Sequence, residues 1–184
     1  MSAGNTANGY GWVAIILHWL AAIGLITMIA IGWAAEAAGE AGDRAGRAEL
    51  MALHFSVGAT FSLIFLTRIV AHYAQRQPNL PAQSKPLNLL AKATHHLLLL
   101  ALLIMVVSGP TQVLAGGRDI VVWNTFTIAT PFAAENEAVR NVAHTLHGIG
   151  RAALYVLIPL HILGALKHML MDDGFLRMLM PARD

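Results

Sequence analysis

Four long apolar runs set the limits on what this chain can fold into. They cover about Trp12 to Ala35, Glu49 to Ala71, Leu87 to Leu114 and Val142 to Met171. Each holds roughly twenty or more mostly apolar residues, enough for a helix to cross a hydrocarbon core about 30 Å thick. Inside lipid the backbone must satisfy its own hydrogen bonds, which leaves helices or a closed barrel. These runs are continuous and do not alternate as barrel strands do. The expected fold is an all-α integral membrane four-helix bundle.

Composition supports the same class. The 184 residues are 57% hydrophobic and only 12% charged, against about 25% charged in a soluble domain. The length suits one domain. The first run has no Lys or Arg before it and exceeds the roughly 7–15 residues of a signal-peptide core, so it is expected to remain as a span. The absence of cysteine excludes disulfides, thiolate-held iron–sulfur clusters and covalent c-type haem. A net charge of +2, with no basic cluster interleaved with aromatics, gives nucleic-acid binding no support.

With four spans, both termini fall on one side. That side carries Arg68, Arg76, Lys85, Lys92, Lys167, Arg177 and Arg183, and the other carries Arg44, Arg47, Arg118, Arg140 and Arg151. Seven basic residues against five is a positive-inside vote for cytoplasmic termini. The connections are expected to be 36–48, 72–86 and 115–141. The second holds Pro78, Pro81 and Pro86, which terminate helices.

The nine histidines are the unusual feature of so apolar a chain, because ionisable groups in a membrane are costly and usually functional. His147 and His161 lie fourteen residues apart in the fourth run. At helical pitch they share a face, ~40° apart around the axis and ~21 Å apart along it. His18 in the first run and His54 in the second fall at matching depths in an antiparallel arrangement. The result is two histidine pairs, His18 with His161 and His54 with His147. Paired imidazoles without thiolates or a carboxylate cluster suit bis-histidine haem b, giving two haems per chain. Zinc or a di-iron site would want more ligands or acidic ones.

Other residues fit around this pattern. His144 lies ~100° from the His161 face and ranks below His147. Arg151 falls one turn from His147, and Arg68 falls near the inner pair, fourteen residues after His54. Both are candidates to pair with haem propionates, with snorkelling to headgroups as the alternative. Gly58, Gly148, Gly150 and Gly164 leave room for a macrocycle or for plain helix packing. His95 and His96 point ~100° apart, so at most one faces the centre; neither is expected to be a ligand. His72 is read as interfacial. Trp19 either walls the inner site or anchors at the interface.

The motifs "ILHWL" at 16–20, "LHFSVG" at 53–58, "TR" at 67–68 and "LAKATHHLLL" at 90–99 continue into "SG" at 108–109. "HGIGRAALYVLIPLH" at 147–161 and "FLRMLMP" at 175–181 follow. In this order and spacing the chain resembles the bacterial cytochrome b561 family over about Tyr10 to Pro181. The resemblance implies a four-helix di-haem domain over 10–181, in the bacterial inner membrane as a multi-pass protein. It implies haem ligation by His18, His54, His147 and His161. It also implies electron transfer from a small periplasmic donor or redox protein, superoxide in some members, to ubiquinone. An alternative is an electron-transfer and anchor subunit of a larger dehydrogenase or hydrogenase.

Each end then has candidate residues. His168 continues the His161 face ~10 Å toward the interface, where it is expected to donate a proton to quinone or to rest among headgroups. Arg118, Arg140 and Arg151 are expected to lead an anion toward the outer haem, although the acidic 36–49 segment opposes broad attraction of anions.

Overall fold

A computed structural model describes residues 2–79 and 83–171. The four apolar runs are four α-helices: α1 (Trp12–Glu40), α2 (Arg44–Ala74), α3 (Lys85–Ala115) and α4 (Glu137–Met171). All four are long and apolar enough to cross a membrane, so the chain has the expected all-α membrane class. Large apolar side chains stand exposed along them, including Leu63, Val70, Val156 and Leu163. In water such surface would drive association; in lipid it is the solvated surface. The "FLRMLMP" tail, Arg177, Arg183 and Pro81 lie outside the described residues.

The helices run past the expected ends. The 36–48 connection shrinks to Ala41–Gly42–Asp43, because the Ala- and Glu-rich sequence on either side propagates helix well. Gly42 takes φ 77°, and the Asp43 amide donates back to the Ala38 carbonyl at 2.9 Å, closing α1 with a left-handed cap. Asp43 then caps α2, its Oδ1 accepting from the Gly46 amide at 2.9 Å. Asn136 opens α4 in the same way, accepting from the Val139 amide at 3.1 Å.

The last connection is not a plain loop. Ile120–Val122 (β1) and Phe126–Ile128 (β2) form an antiparallel hairpin. Three residues, Trp123 to Thr125, connect the strands; the Thr125 amide donates to the Val122 carbonyl at 3.1 Å, and the two residues between them, Trp123 and Asn124, take φ 51° and 54°. Positive φ at both central positions is the type I′ geometry that matches strand twist.

The chain divides into two compact units. One comprises Met1–Trp19, Leu66–Ile104 and Gly148–Asp184. In it the amino-terminal segment is tied to the end of α2. The Asn5 amide donates to Gln75 Oε1 at 3.1 Å, Asn5 Nδ2 to the Arg76 carbonyl at 3.0 Å, and the Asn79 amide to the Ala7 carbonyl at 3.0 Å. The other unit comprises Leu20–Phe65 and Met105–His147. Its core includes Val113, Ile120 and Val122, packed against Phe55, Ala59, Leu114 and Ile128, so the inner side of the hairpin rests on α2 and α3.

Candidate haem-binding sites

The two expected histidine pairs divide between the two units: His18 and His161 in the first, His54 and His147 in the second. Each site therefore has its own local structure.

In the first unit the His18 and His161 ring centroids stand 6.1 Å apart. Metal–nitrogen bonds of about 2.0 Å, with half a ring added on each side, put two axial imidazole centroids about 6 Å apart. The spacing fits a metal held between them. Arg68, half-buried on α2, acts electrostatically on both rings. Trp19 meets His18 edge-on at 5.4 Å but is 55% exposed, so its indole lies at the rim.

This unit gathers more histidine than the sequence reading assigns. The His95 ring lies 5.2 Å from that of His161, and His72 lies 5.7 Å from His96. His95 is half-buried and His96 exposed, as their ~100° divergence requires. At 5.2 Å, His95 is too close to His161 to sit opposite it across a metal, and it borders the pair instead. Tyr10 also enters, from outside the helices. Burial holds its phenol above its ordinary range, while the nearby Arg68 charge pulls it down.

In the second unit His54 Nδ1 is buried with no hydrogen-bond partner among the described residues. Leaving such an atom unpaired is costly, and metal coordination is one way to relieve it. A Cβ on Gly32 would come 3.7 Å from His54 Cε1, and one on Gly109 would come 3.4 Å from His147 Cε1. Both glycines keep the space beside an imidazole clear. Ser108, buried on α3, places its Oγ 3.2 Å from His147 Nδ1. If His147 binds metal through Nε2, its Nδ1–H donates to Ser108, the outer-shell contact that fixes ring orientation and raises ligand basicity.

Among the described residues no three His, Asp, Glu or Cys side chains gather as a metal cluster. Two-imidazole sites suit a macrocyclic iron, whose other ligands belong to the cofactor. The residues present therefore fit haem.

The other candidate residues are spread over the helices and the last connection. A Cβ on Gly58 would meet Met28 Cε at 3.0 Å, so this glycine serves α1–α2 packing and not a cofactor. Arg151 is exposed on α4. Arg140 is ion-paired with Glu135, which spends part of its charge locally. Arg118 and His144 are exposed, and His168 is half-buried in the last turn of α4. Gly32, Gly109 and Ser108 escaped the sequence reading because each faces another helix; only the "SG" at 108–109 gave a local signal.

The family model described as prokaryotic cytochrome b561 matches residues 9–181. The chain is 31% identical over 183 residues to cytochrome b561 homolog 2 of Escherichia coli (strain K12), covering 97% of this chain and 95% of that protein. It is 24% identical over 174 residues to a probable superoxide oxidase, CybB, of Yersinia pestis, covering 92% and 95% respectively.

Proposed function

The chain belongs to the prokaryotic cytochrome b561 family, and from that premise we propose that it passes electrons from a periplasmic one-electron donor to ubiquinone through two bis-histidine haems. At the coarser level it is a multi-pass protein of the bacterial inner membrane, a membrane cytochrome b of oxidoreductase type that binds haem b and transfers electrons across the membrane.

In this reading His18 and His161 hold one haem and His54 and His147 the other, within a domain over 10–181 whose termini are cytoplasmic. The 6.1 Å spacing of His18 and His161 carries the reading. The orphaned His54 Nδ1 and the Ser108 contact to His147 support the second site. Bound haem supplies one-electron transfer at a potential that ligand basicity, burial and nearby charge adjust. The chain's own residues do the rest. Ser108 orients His147. Arg68 places a cation beside the His18 and His161 rings, where a propionate would be neutralised. His168 holds a proton near the interface for a quinone carbonyl.

Superoxide is the proposed donor because the Yersinia pestis relative is named a probable superoxide oxidase. Exposed Arg118 and Arg151 would attract such an anion. The deciding experiment is an oxidised and dithionite-reduced spectrum of purified protein with a pyridine haemochrome count, followed by superoxide and ubiquinone. Two haems b per chain and superoxide-dependent quinone reduction are expected. No haem, under conditions that supply it, would remove the ligand assignment. Haem that superoxide does not reduce would leave an electron-transfer subunit serving a protein donor.

A further inference from the structure

The hairpin β1–β2 is fastened to the side of a membrane-crossing helix. The Trp123 amide donates to Ser56 Oγ at 3.0 Å, and its indole Nε1–H donates to Thr60 Oγ1, also at 3.0 Å. Ser56 and Thr60 lie one turn apart within residues 50–67 of α2, which contain no Asp, Glu, Lys or Arg. Eighteen residues of helix span ~27 Å, so Ser56 sits ~9 Å and Thr60 ~15 Å inside the uncharged run.

We infer that the hairpin tip lies within the lipid leaflet, as a re-entrant element whose exposed face contacts phospholipid instead of water. Four observations carry this. The first is the depth of its two anchors. The second is composition: residues 120–134 contain no charged side chain, while Arg118, Asp119, Glu135 and Glu137 bracket them. A fifteen-residue loop in water would be expected to carry some charge. The third is the outward face, where Val121, Trp123 and Phe126 are 45%, 51% and 59% exposed.

The fourth is the tip itself. Non-helical backbone at membrane depth must have its polar groups satisfied. At the turn the Thr125 amide donates to the Val122 carbonyl at 3.1 Å and Ser56 takes the Trp123 amide, while the strands pair along their facing edges. The indole N–H is satisfied by Thr60. A bulky residue at positive φ is strained, and these two hydrogen bonds hold it there. On α2, Phe55, Ser56, Ala59 and Thr60 lie ~100° to 240° around the axis from His54. The hairpin therefore occupies the side of α2 turned away from its histidine, and its outer face is open to lipid.

The chain has no cysteine, which permits site-directed nitroxide labelling of the holoprotein. Phe126→Cys and Val121→Cys would each be labelled in vesicles of phosphatidylethanolamine and phosphatidylglycerol. Collision with oxygen is compared with collision with a nickel chelate. Ile23→Cys, 58% exposed on α1, serves as the lipid reference and Arg118→Cys as the aqueous one. An unchanged haem spectrum verifies the fold of each variant. The oxygen-to-nickel ratio at both hairpin positions is expected to match Ile23→Cys and to exceed Arg118→Cys severalfold. A ratio equal to that of Arg118→Cys would overturn the proposal by placing the hairpin in water. Protection from both reagents would overturn it in favour of a covering protein surface. Neither result would touch the electron-transfer reading.

Discussion

The rings of His18 and His161 stand 6.1 Å apart at 63° to one another, while His95 approaches His161 to 5.2 Å. Two imidazoles sharing an axial metal need the longer spacing, so the three histidines have different predicted fates. His18→Ala and His161→Ala should each lower the haemochrome count from two per chain to one, because His54 and His147 belong to another compact unit. His95→Ala should keep both haems and shift only the spectrum or potential of one. Loss of a haem in His95→Ala with retention in His18→Ala would reverse the ligand assignment.

Ser108 tests the second site without touching a ligand. Ser108→Ala removes the acceptor for His147 Nδ1–H, which lowers the basicity of the imidazole and favours reduced iron. One of two resolved midpoint potentials should rise and the other should stay fixed. Haem retention should weaken by about 10–100-fold, as for other outer-shell partners. Ser108→Thr, which keeps the hydroxyl, should restore the potential. A redox titration of the three proteins reads both effects.

The sequence made the four spans and the approach of His18 to His161 legible because both depend on periodicity along single helices. What crosses between helices was not. His95 looks like one of two adjacent histidines until α3 is placed beside His161, and Gly58 resembles a cofactor glycine until Met28 fills its space. Helix ends were misplaced because Ala and Glu continue a helix beyond its apolar stretch. The hairpin was missed because its turn uses Trp123 and Asn124, where the usual signal is Asn-Gly or Asp-Gly. The hydrogen bonds to Ser56 and Thr60 that stabilise the turn are more than sixty residues away.

His168 is predicted to act at the quinone end. His168→Ala should leave the haem count and both potentials unchanged while slowing ubiquinone reduction. General acid groups contribute about 10²–10⁴-fold when proton transfer limits the rate, so a loss of at least about tenfold is expected at saturating quinone. Raising the proton concentration should recover part of the rate. Wild-type quinone kinetics in this variant would return His168 to an interfacial role.

Salt dependence separates an anionic donor from a neutral one. The Debye length falls from about 30 Å at 0.01 M to about 10 Å at 0.1 M, so superoxide-driven haem reduction should slow over that range if arginines steer the anion. Arg118→Ala should flatten the response. Arg140→Ala should do so less, because its charge is paired with Glu135. A rate independent of salt in the parent protein would exclude electrostatic steering by these residues.

Ser56→Ala isolates what holds the hairpin turn. Ser56 is 5% exposed, and its Oγ donates to the Ala52 carbonyl at 3.0 Å while accepting from the Trp123 amide. The helical carbonyl keeps its backbone partner in the variant, but the Trp123 amide loses its only acceptor on α2. An unsatisfied buried donor costs about 1–3 kcal/mol, and here it falls on a residue already at φ 51°. Opening of the hairpin should become easier by about one to two orders of magnitude, read as faster hydrogen exchange at Trp123 and Thr125 in detergent micelles. Exchange in the middle of α2 and both haem bands should not change. Thr60→Val removes only the indole acceptor and should have the smaller effect, because that side chain can turn toward another partner and the backbone amide cannot. Equal exchange in Ser56→Ala and the parent would mean that strand pairing alone holds the turn.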